Sequence, residues 1–208
     1  MSSIQTIIFD FGGVLLNLKQ ENNWRIEDFF PLFDLQKLNH LKEENFFDDF
    51  EKGKFSAEEF LSKLKSITIN SDIKNETIIK AWNNILLDIP AHRVSIIQQL
   101  KTKYKLILLS NTNSIHTQKF TEDMLENFGE DILHKYFNTV YYSQEIGYRK
   151  PEKEIYNFVM EQQQLNPKNI LFLDDKSENL EIPKALGWQT QQVNFNKLSI
   201  VDVQHLLN

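Results

Sequence analysis

Short apolar runs and helical spacings alternate along most of the chain. Continuous apolar runs lie at 6–11, 106–109, 140–142 and 170–173, with a weaker one at 191–195. Each is bounded by Asp, Ser, Asn or Lys, and runs of this kind predict strands buried on both faces. Between the later runs the apolar residues recur every three or four positions. In 91–103 they are Val94, Ile97 and Leu100. In 151–164, which opens with Pro and acids as a first helical turn should, they are Ile155, Phe158 and Val159. A further helix is predicted over 178–186, stopped by Gly187. Strand alternating with helix predicts an α/β fold with a parallel sheet.

Residues 17–88 break this rhythm. They hold no buried-strand pattern, and helical spacing recurs at 24–41, 44–50, 57–64 and 74–87. Ser56 followed by Ala57, Glu58 and Glu59 reads as a helix N-cap with acids in the first turn. The expected organisation is a core made of 1–16 and 89–208, with a small α-helical insertion, 17–88, after the first strand. There is no internal repeat and no low-complexity linker.

Composition narrows the function classes. A chain of 208 residues can form one large domain or a core with an inserted subdomain. A net charge of −6 argues against sequence-independent nucleic-acid binding, which needs a basic field. The absence of cysteine excludes disulfides, a thiolate nucleophile and Cys-ligated metal. No apolar run approaches the roughly 20 residues of a membrane span, and the N-terminus lacks the basic-then-apolar pattern of a secretory signal. The expectation is a soluble, cytoplasmic monomer or homodimer with neither a membrane nor a nucleic-acid partner.

The candidate chemistry sits at the strand ends. Asp10 closes the first run and leads into Phe11, Gly12 and Gly13. A carboxylate there can attack phosphorus when a cation offsets the charge, and the glycines let backbone approach a phosphate. The same Asp-to-Gly pattern also suits a simple strand-end cap. After the second core strand, Ser110 offers a hydroxyl and Asn111 a backbone N–H or amide to a phosphoryl group, although both also suit a capping loop. Lys150, before Pro151, could neutralise nucleophile and phosphoryl together, or be a solvated charge before a helix. Arg149 reads as a surface charge or as one that stands behind the residues of the site. Asp174 and Asp175 end the fourth run, where repulsion between adjacent carboxylates is relieved by a divalent cation such as Mg²⁺. Asn179, a helical turn on, could bond back to an Asp or to the loop.

In the order Asp, Ser, Lys, Asp-Asp, these residues resemble the motifs of the haloacid dehalogenase-like hydrolase superfamily. Phe9-Asp10-Phe11-Gly12-Gly13-Val14, Leu109-Ser110-Asn111, Lys150-Pro151 and Leu173-Asp174-Asp175 match its four motifs in turn, and the helical insertion stands where that family carries its cap. Ser110-Asn111-Thr112-Asn113, the stretch 143–151 and Asn179 are similar to the small bacterial sugar-phosphate phosphatases, of the glucose-1-phosphate type. The resemblance implies a Rossmann-like core with helices on both faces and an α-helical cap. It also implies Asp10 as nucleophile and Mg²⁺ ligand, the Gly12 carbonyl as a further ligand, and Asp175 holding the metal with Asp174 beside it. Ser110 and Asn111 would bind the phosphoryl group, and Lys150 would orient it.

One position departs from the family pattern. Most of its phosphatases carry a second Asp two residues after the nucleophile, as general acid and base, and here that residue is Gly12. General acid–base help is worth about 10²–10⁴-fold. The loss points to a slow enzyme, to an acid from elsewhere, or to a substrate with a good leaving group; His116 and the acids of the cap are the replacements on offer, but a lone His is more often structural and none is singled out. The expected activity is Mg²⁺-dependent hydrolysis of a small phosphorylated metabolite such as a hexose 1-phosphate. The alternatives are a 2-haloacid dehalogenase and a non-catalytic metabolite-binding member. Phe46, Phe47, Trp24 and Trp82 either line the substrate pocket or form the core of the cap.

Overall fold

The computed structural model describes residues 4–19 and 28–193. Strands β1 (Thr6–Phe9), β2 (Lys105–Ser110), β3 (Thr139–Tyr142), β4 (Ile170–Asp174) and β5 (Gln189–Gln192) form one parallel sheet in the order β3-β2-β1-β4-β5. The apolar runs form strands because both faces of the sheet are covered. Alternate side chains point to opposite faces. Ile7, Phe9, Leu106, Leu108, Leu171 and Leu173 fall in one core cluster. Ile8, Ile107, Leu109, Ile170 and Phe172 fall in the other.

Register places the chemistry. Phe9 pairs with Leu108 on one side and Leu173 on the other, so β1, β2 and β4 run level. The Asp10 N–H donates to Leu173 O at 2.8 Å and extends that ladder by one bond. Asp10, Ser110 and Asp174 are therefore delivered to the same edge, the carboxyl ends of adjacent strands, where open α/β sheets place their ligands.

Between β1 and β2 the chain forms helices α1 (Leu35–Glu43), α2 (Phe46–Glu51), α3 (Ala57–Lys65) and α4 (Asn75–Asn83). They bury their own aromatic cluster. Phe60 is fully buried, stacked on Phe50 at 3.9 Å and on Phe46 at 5.2 Å between centroids. Ser56 and Glu59 form a reciprocal capping box at the start of α3. The two connections to the sheet lie side by side. Leu18 bridges Leu86, Asn17 N–H donates to Asp88 O and Lys19 N–H to Ile85 O. Those bonds end α4 at Asn83, short of the expected limit at 87.

The sheet faces are covered by α5 (Ala91–Lys101), α6 (Ser114–Phe128) and α7 (Ile132–Tyr136) on one side. After the short α8 (Ser143–Ile146), α9 (Lys153–Gln163) and α10 (Glu178–Ala185) pack on the other. Among the described residues, no helix is long and apolar enough to cross a membrane.

Several boundaries differ from expectation. β1 stops at Phe9 rather than at 11, because Phe11 leaves the ladder to pack edge-on against Phe120 and Gly13 turns the chain at φ +78°. β5 begins earlier than expected, and residues 194 and 195 of the expected run lie outside the described residues. The helix expected at 24–41 starts only at Leu35, where Asp34 accepts from Gln36 and Lys37 N–H groups, after a 3-10 turn at Phe30–Leu32. Its positions 24–27 lie outside the described residues. Helix α6 was not foreseen. Its buried residues Ile115, Phe120 and Met124 are too sparse for a clear stripe, but Asn113 as N-cap and Gly129 at its end were readable signals.

Because Phe60 is the centre of the aromatic cluster, Phe60→Ala is expected to lower the unfolding free energy by about 3–5 kcal/mol. A urea titration checks this, read as a lower midpoint at unchanged slope.

Candidate active site

Lys150 is almost completely buried, yet its ammonium sits between two carboxylates. Nζ donates to Asp10 Oδ1 at 2.6 Å and to Asp174 Oδ2 at 2.8 Å. A buried ammonium is tolerated only when paired in this way. The backbone around it is held just as firmly. Asn111 Nδ2 donates to Lys150 O, and Lys150 N–H donates to Asn111 Oδ1, both at 2.8 Å. The Asn111 amide, expected as a phosphoryl donor, thus gives its oxygen and one N–H to the Lys150 backbone, and its second amide N–H and its backbone N–H remain as donors.

Asp174 is equally committed. Asn179 Nδ2 donates to its two oxygens at 2.9 and 3.1 Å, and Lys176 N–H donates to Oδ1 at 2.9 Å. It is fully buried, whereas Asp10 and Asp175 line a cavity together with Gly12, Ser110, Asn111 and Lys150. Asp10, Asp174 and Asp175 each offer an oxygen within 4.8 Å of the others. Asp174 therefore braces Lys150 and closes the acid cluster from behind, and Asp10 and Asp175 present the accessible oxygens.

The electrostatics are unbalanced. Burial pushes the Asp10 carboxyl up to about 7, Asp174 and Asp175 add to this, and Lys150 opposes it. Burial and Asp174 likewise raise Asp175. Burial disfavours the charge of Lys150, but Asp10 and Asp174 outweigh it and hold the ammonium above the ordinary lysine range. Three carboxylates facing one ammonium form a set of hard oxygen donors that suits a magnesium ion. The turn is shaped to the same end. A Cβ on Gly13 would overlap the Asp175 carboxylate, so only glycine lets this acid approach the backbone there.

The cavity holds about 180 Å³. That is below the roughly 300–1,000 Å³ of drug-sized sites and fits a small substrate. Leu18, Leu86, Trp82 and Glu51 of the helical insertion and its stem line part of it. Of the aromatic residues considered, Trp82 reaches this cavity, Phe46 and Phe47 pack in the insertion's own cluster, and Trp24 lies outside the described residues.

Of the two readings of Arg149, the structure has the charge behind the site rather than on the open surface. Arg149 Nε donates to Glu51 Oε2 at 3.0 Å and its Nη1 to Asp48 Oδ2 at 3.0 Å, tying the Lys150 loop to α2. The partners are 98 and 101 positions away, so no local signal announces them. His116, considered as a replacement acid, also lines the cavity but is engaged at both ring nitrogens. Nε2 faces Trp82 O at 3.1 Å and Nδ1 faces Asn113 Nδ2 at 3.1 Å. The imidazole thus donates from Nε2 and accepts at Nδ1. Burial lowers its pKa to about 4, and it stays neutral.

The haloacid dehalogenase-like hydrolase profile matches residues 4–187. The chain belongs to the haloacid dehalogenase-like hydrolase family. It is 30% identical over 190 residues to a D-ribitol-5-phosphate phosphatase from Bacteroides thetaiotaomicron, covering 91% of each chain. It is also similar to the HAD-family enzyme bt-2542 of the same organism, solved in complex with magnesium and inorganic phosphate. The TM-score is 0.77 and the identity 30%, over 99% of this chain and 100% of that one. A HAD-like family hydrolase from Porphyromonas gingivalis superposes with TM-score 0.87 at 27% identity, over 100% of this chain and 99% of that one.

Two outcomes follow from the buried network. Asn111→Ala leaves the Lys150 backbone N–H and carbonyl without partners and should cost about 1–3 kcal/mol of stability, measured by calorimetry. His116 binds a proton more readily unfolded than folded, so its contribution is present above the ordinary value of 6.5 and lost as pH falls towards about 4. The stability of His116→Gln should fall less steeply than that of the wild type across this window, as read by denaturant midpoints at successive pH values.

Proposed function

We propose that this family member is a Mg²⁺-dependent phosphatase of small phosphorylated metabolites that works through an aspartyl-phosphate on Asp10. The observation that carries this reading is the buried Lys150 bridging Asp10 and Asp174 beside Ser110, at the carboxyl edge of the sheet. A magnesium ion would be held by Asp10, Asp175 and the Gly12 carbonyl, with Asp174 behind them. When bound it supplies the positive charge that lets a carboxylate approach a phosphoryl group.

The protein's own residues supply the rest. One Asp10 oxygen attacks phosphorus while Lys150 orients it through Oδ1. The Ser110 hydroxyl and the Asn111 backbone N–H donate to the phosphoryl oxygens. The P–O bond to the leaving group breaks, and water then hydrolyses the acyl phosphate. Gly12 provides no acid for the leaving oxygen, and the Nε2–H of His116 is committed to the Trp82 carbonyl. A leaving group more acidic than an ordinary alcohol, such as the anomeric hydroxyl of a hexose 1-phosphate, needs less protonation. The ribitol-5-phosphate phosphatase relative brings acyclic polyol phosphates into the same reading.

We also propose that residues 17–88 act as a cap over a core of 1–16 and 89–208. Its stem of paired segments, Asn17 to Lys19 with Ile85 to Asp88, is a natural hinge, and Trp82 and Glu51 already face the cavity. A closed cap would exclude bulk water from the acyl phosphate. The acid cluster favours phosphoryl transfer over dehalogenation, since attack on carbon needs no cation and has no use for three converging carboxylates.

Release of inorganic phosphate from a panel of sugar and polyol phosphates tests the proposal. Turnover should require Mg²⁺, stop on EDTA and return when the ion is restored. Asp10→Asn should lower it by about 10³-fold or more. Turnover that survives EDTA, or no turnover of any panel member, would sink the reading.

A further inference from the structure

We propose that Glu51, Arg149 and Lys176 form the leaving-group subsite of this cavity, built jointly by insertion and core, and that it selects an uncharged, hydroxyl-bearing leaving group. This rests on the phosphatase reading above and names the substrate class for that site.

Three observations carry it. The first is hydrogen-bonding capacity left open at the cavity. Glu51 Oε2 accepts from Arg149 Nε at 3.0 Å and pairs with Nη2 at 2.9 Å, while Oε1 accepts nothing among the described residues. Lys176 is exposed and its Nζ makes no hydrogen bond or ion pair among the described residues, although its charge acts on Glu51 and Asp175, and its backbone N–H and carbonyl are engaged with Asp174 and Asn179. Glu51 and Lys176 both line the cavity that contains Asp10. One carboxylate oxygen and one ammonium with hydrogen-bonding capacity open among the described residues offer an acceptor and a donor, and a hydroxyl satisfies either.

The second is position. Glu51, Arg149, Lys176 and Trp82 also line a neighbouring cavity of about 440 Å³ beneath α1 and α2. Asp10, Ser110, Asn111 and Lys150 line only the first. The three charged residues thus stand on the insertion side of the site, beyond the phosphoryl donors. Trp82, Leu18 and Leu86 supply apolar surface for the C–H faces of a carbon chain.

The third is charge balance. Arg149 and Lys176 are offset by Glu51, by Asp48, which takes Arg149 Nη1 at 3.0 Å, and by Asp175, on which Lys176 also acts. A carboxylate or an ammonium on the leaving group would meet like charges as well as opposite ones. Neutral hydroxyls meet no such conflict and saturate the open donor and acceptor, and an alkyl chain without hydroxyls leaves both unpaired on desolvation.

The test compares kcat/KM for D-ribitol 5-phosphate with n-pentyl phosphate, phosphoglycolate and phosphoethanolamine, in Mg²⁺. The wild type should prefer the polyol ester to each of the others by ten-fold or more. Glu51→Gln and Lys176→Met should each reduce the preference over n-pentyl phosphate about ten-fold, mainly through KM. No preference in the wild type overturns the proposal. So does a loss that falls equally on both esters, which would make the ion pair a strut for the Lys150 loop. Calorimetric binding to Asp10→Asn separates this proposal from the phosphatase reading. Ribitol 5-phosphate binding ten-fold tighter than n-pentyl phosphate upholds the subsite even if no ester is turned over, and equal binding overturns it.

Discussion

The structure is organised around one buried ammonium. Lys150 can stay charged in the interior only because Asp10 and Asp174 meet it from the ends of β1 and β4. That pairing imposes conditions on the rest of the fold. The strands must end level, which the Phe9 pairing with Leu108 and Leu173 ensures. The loop carrying Lys150 must be fixed in the backbone as well as the side chain, which Asn111 does with two bonds. Asp174 must be turned towards the lysine, which Asn179 and the Lys176 N–H secure. Asn179 is itself anchored through its carbonyl by the Tyr156 hydroxyl at 2.8 Å, so the network reaches down to α9 in the core.

The arrangement is deliberately short of positive charge. One lysine faces three carboxylates, and Asp10 answers with a strongly raised pKa. Such a site gains from a cation and from a phosphoryl group brought by that cation, and much less from either charge alone. Gly13 contributes by having no side chain, since any Cβ there would displace Asp175. The absence of a side chain at Gly12 has the opposite meaning for catalysis. It removes an acid from the turn and shifts the demand onto the chemistry of the leaving group.

Insertion and core meet around the same loop. Lys52 joins Glu152 at 2.9 Å, Arg149 joins Glu51 and Asp48, and the Trp82 indole donates to Asn113 at 3.3 Å. Gly53 lies against the Gln144 carbonyl too closely for any side chain. The residues flanking Lys150 therefore sense where α2 sits. Partly exposed ion pairs of this kind contribute little to stability individually. Their consequence is geometric: Lys150 and the insertion-side wall of the cavity belong to one assembly.

The strand pattern, the parallel sheet and the helical insertion were legible in the sequence, because burial on both faces or on one stripe leaves periodicity that needs no knowledge of partners. Asp10, Ser110, Asn111, Asp174 and Asp175 were legible because each stands at or just past a core strand end, whereas Lys150 follows β3 only after α8 and was legible from its place before Pro151. Their division of labour was not. Asn111 as a clamp on Lys150 and Asp174 as a brace for the same lysine depend on contacts between distant segments. Helix α6 was hidden by sparse apolar spacing, although its caps were in plain view. Arg149 reads locally as a solvated charge beside Lys150, and only the folding of α2 onto its loop, some hundred positions away, makes it part of the site. Local sequence determined which groups reach the edge of the sheet. Tertiary structure decided which of their donors and acceptors stay free, because that depends on which neighbours fill the others.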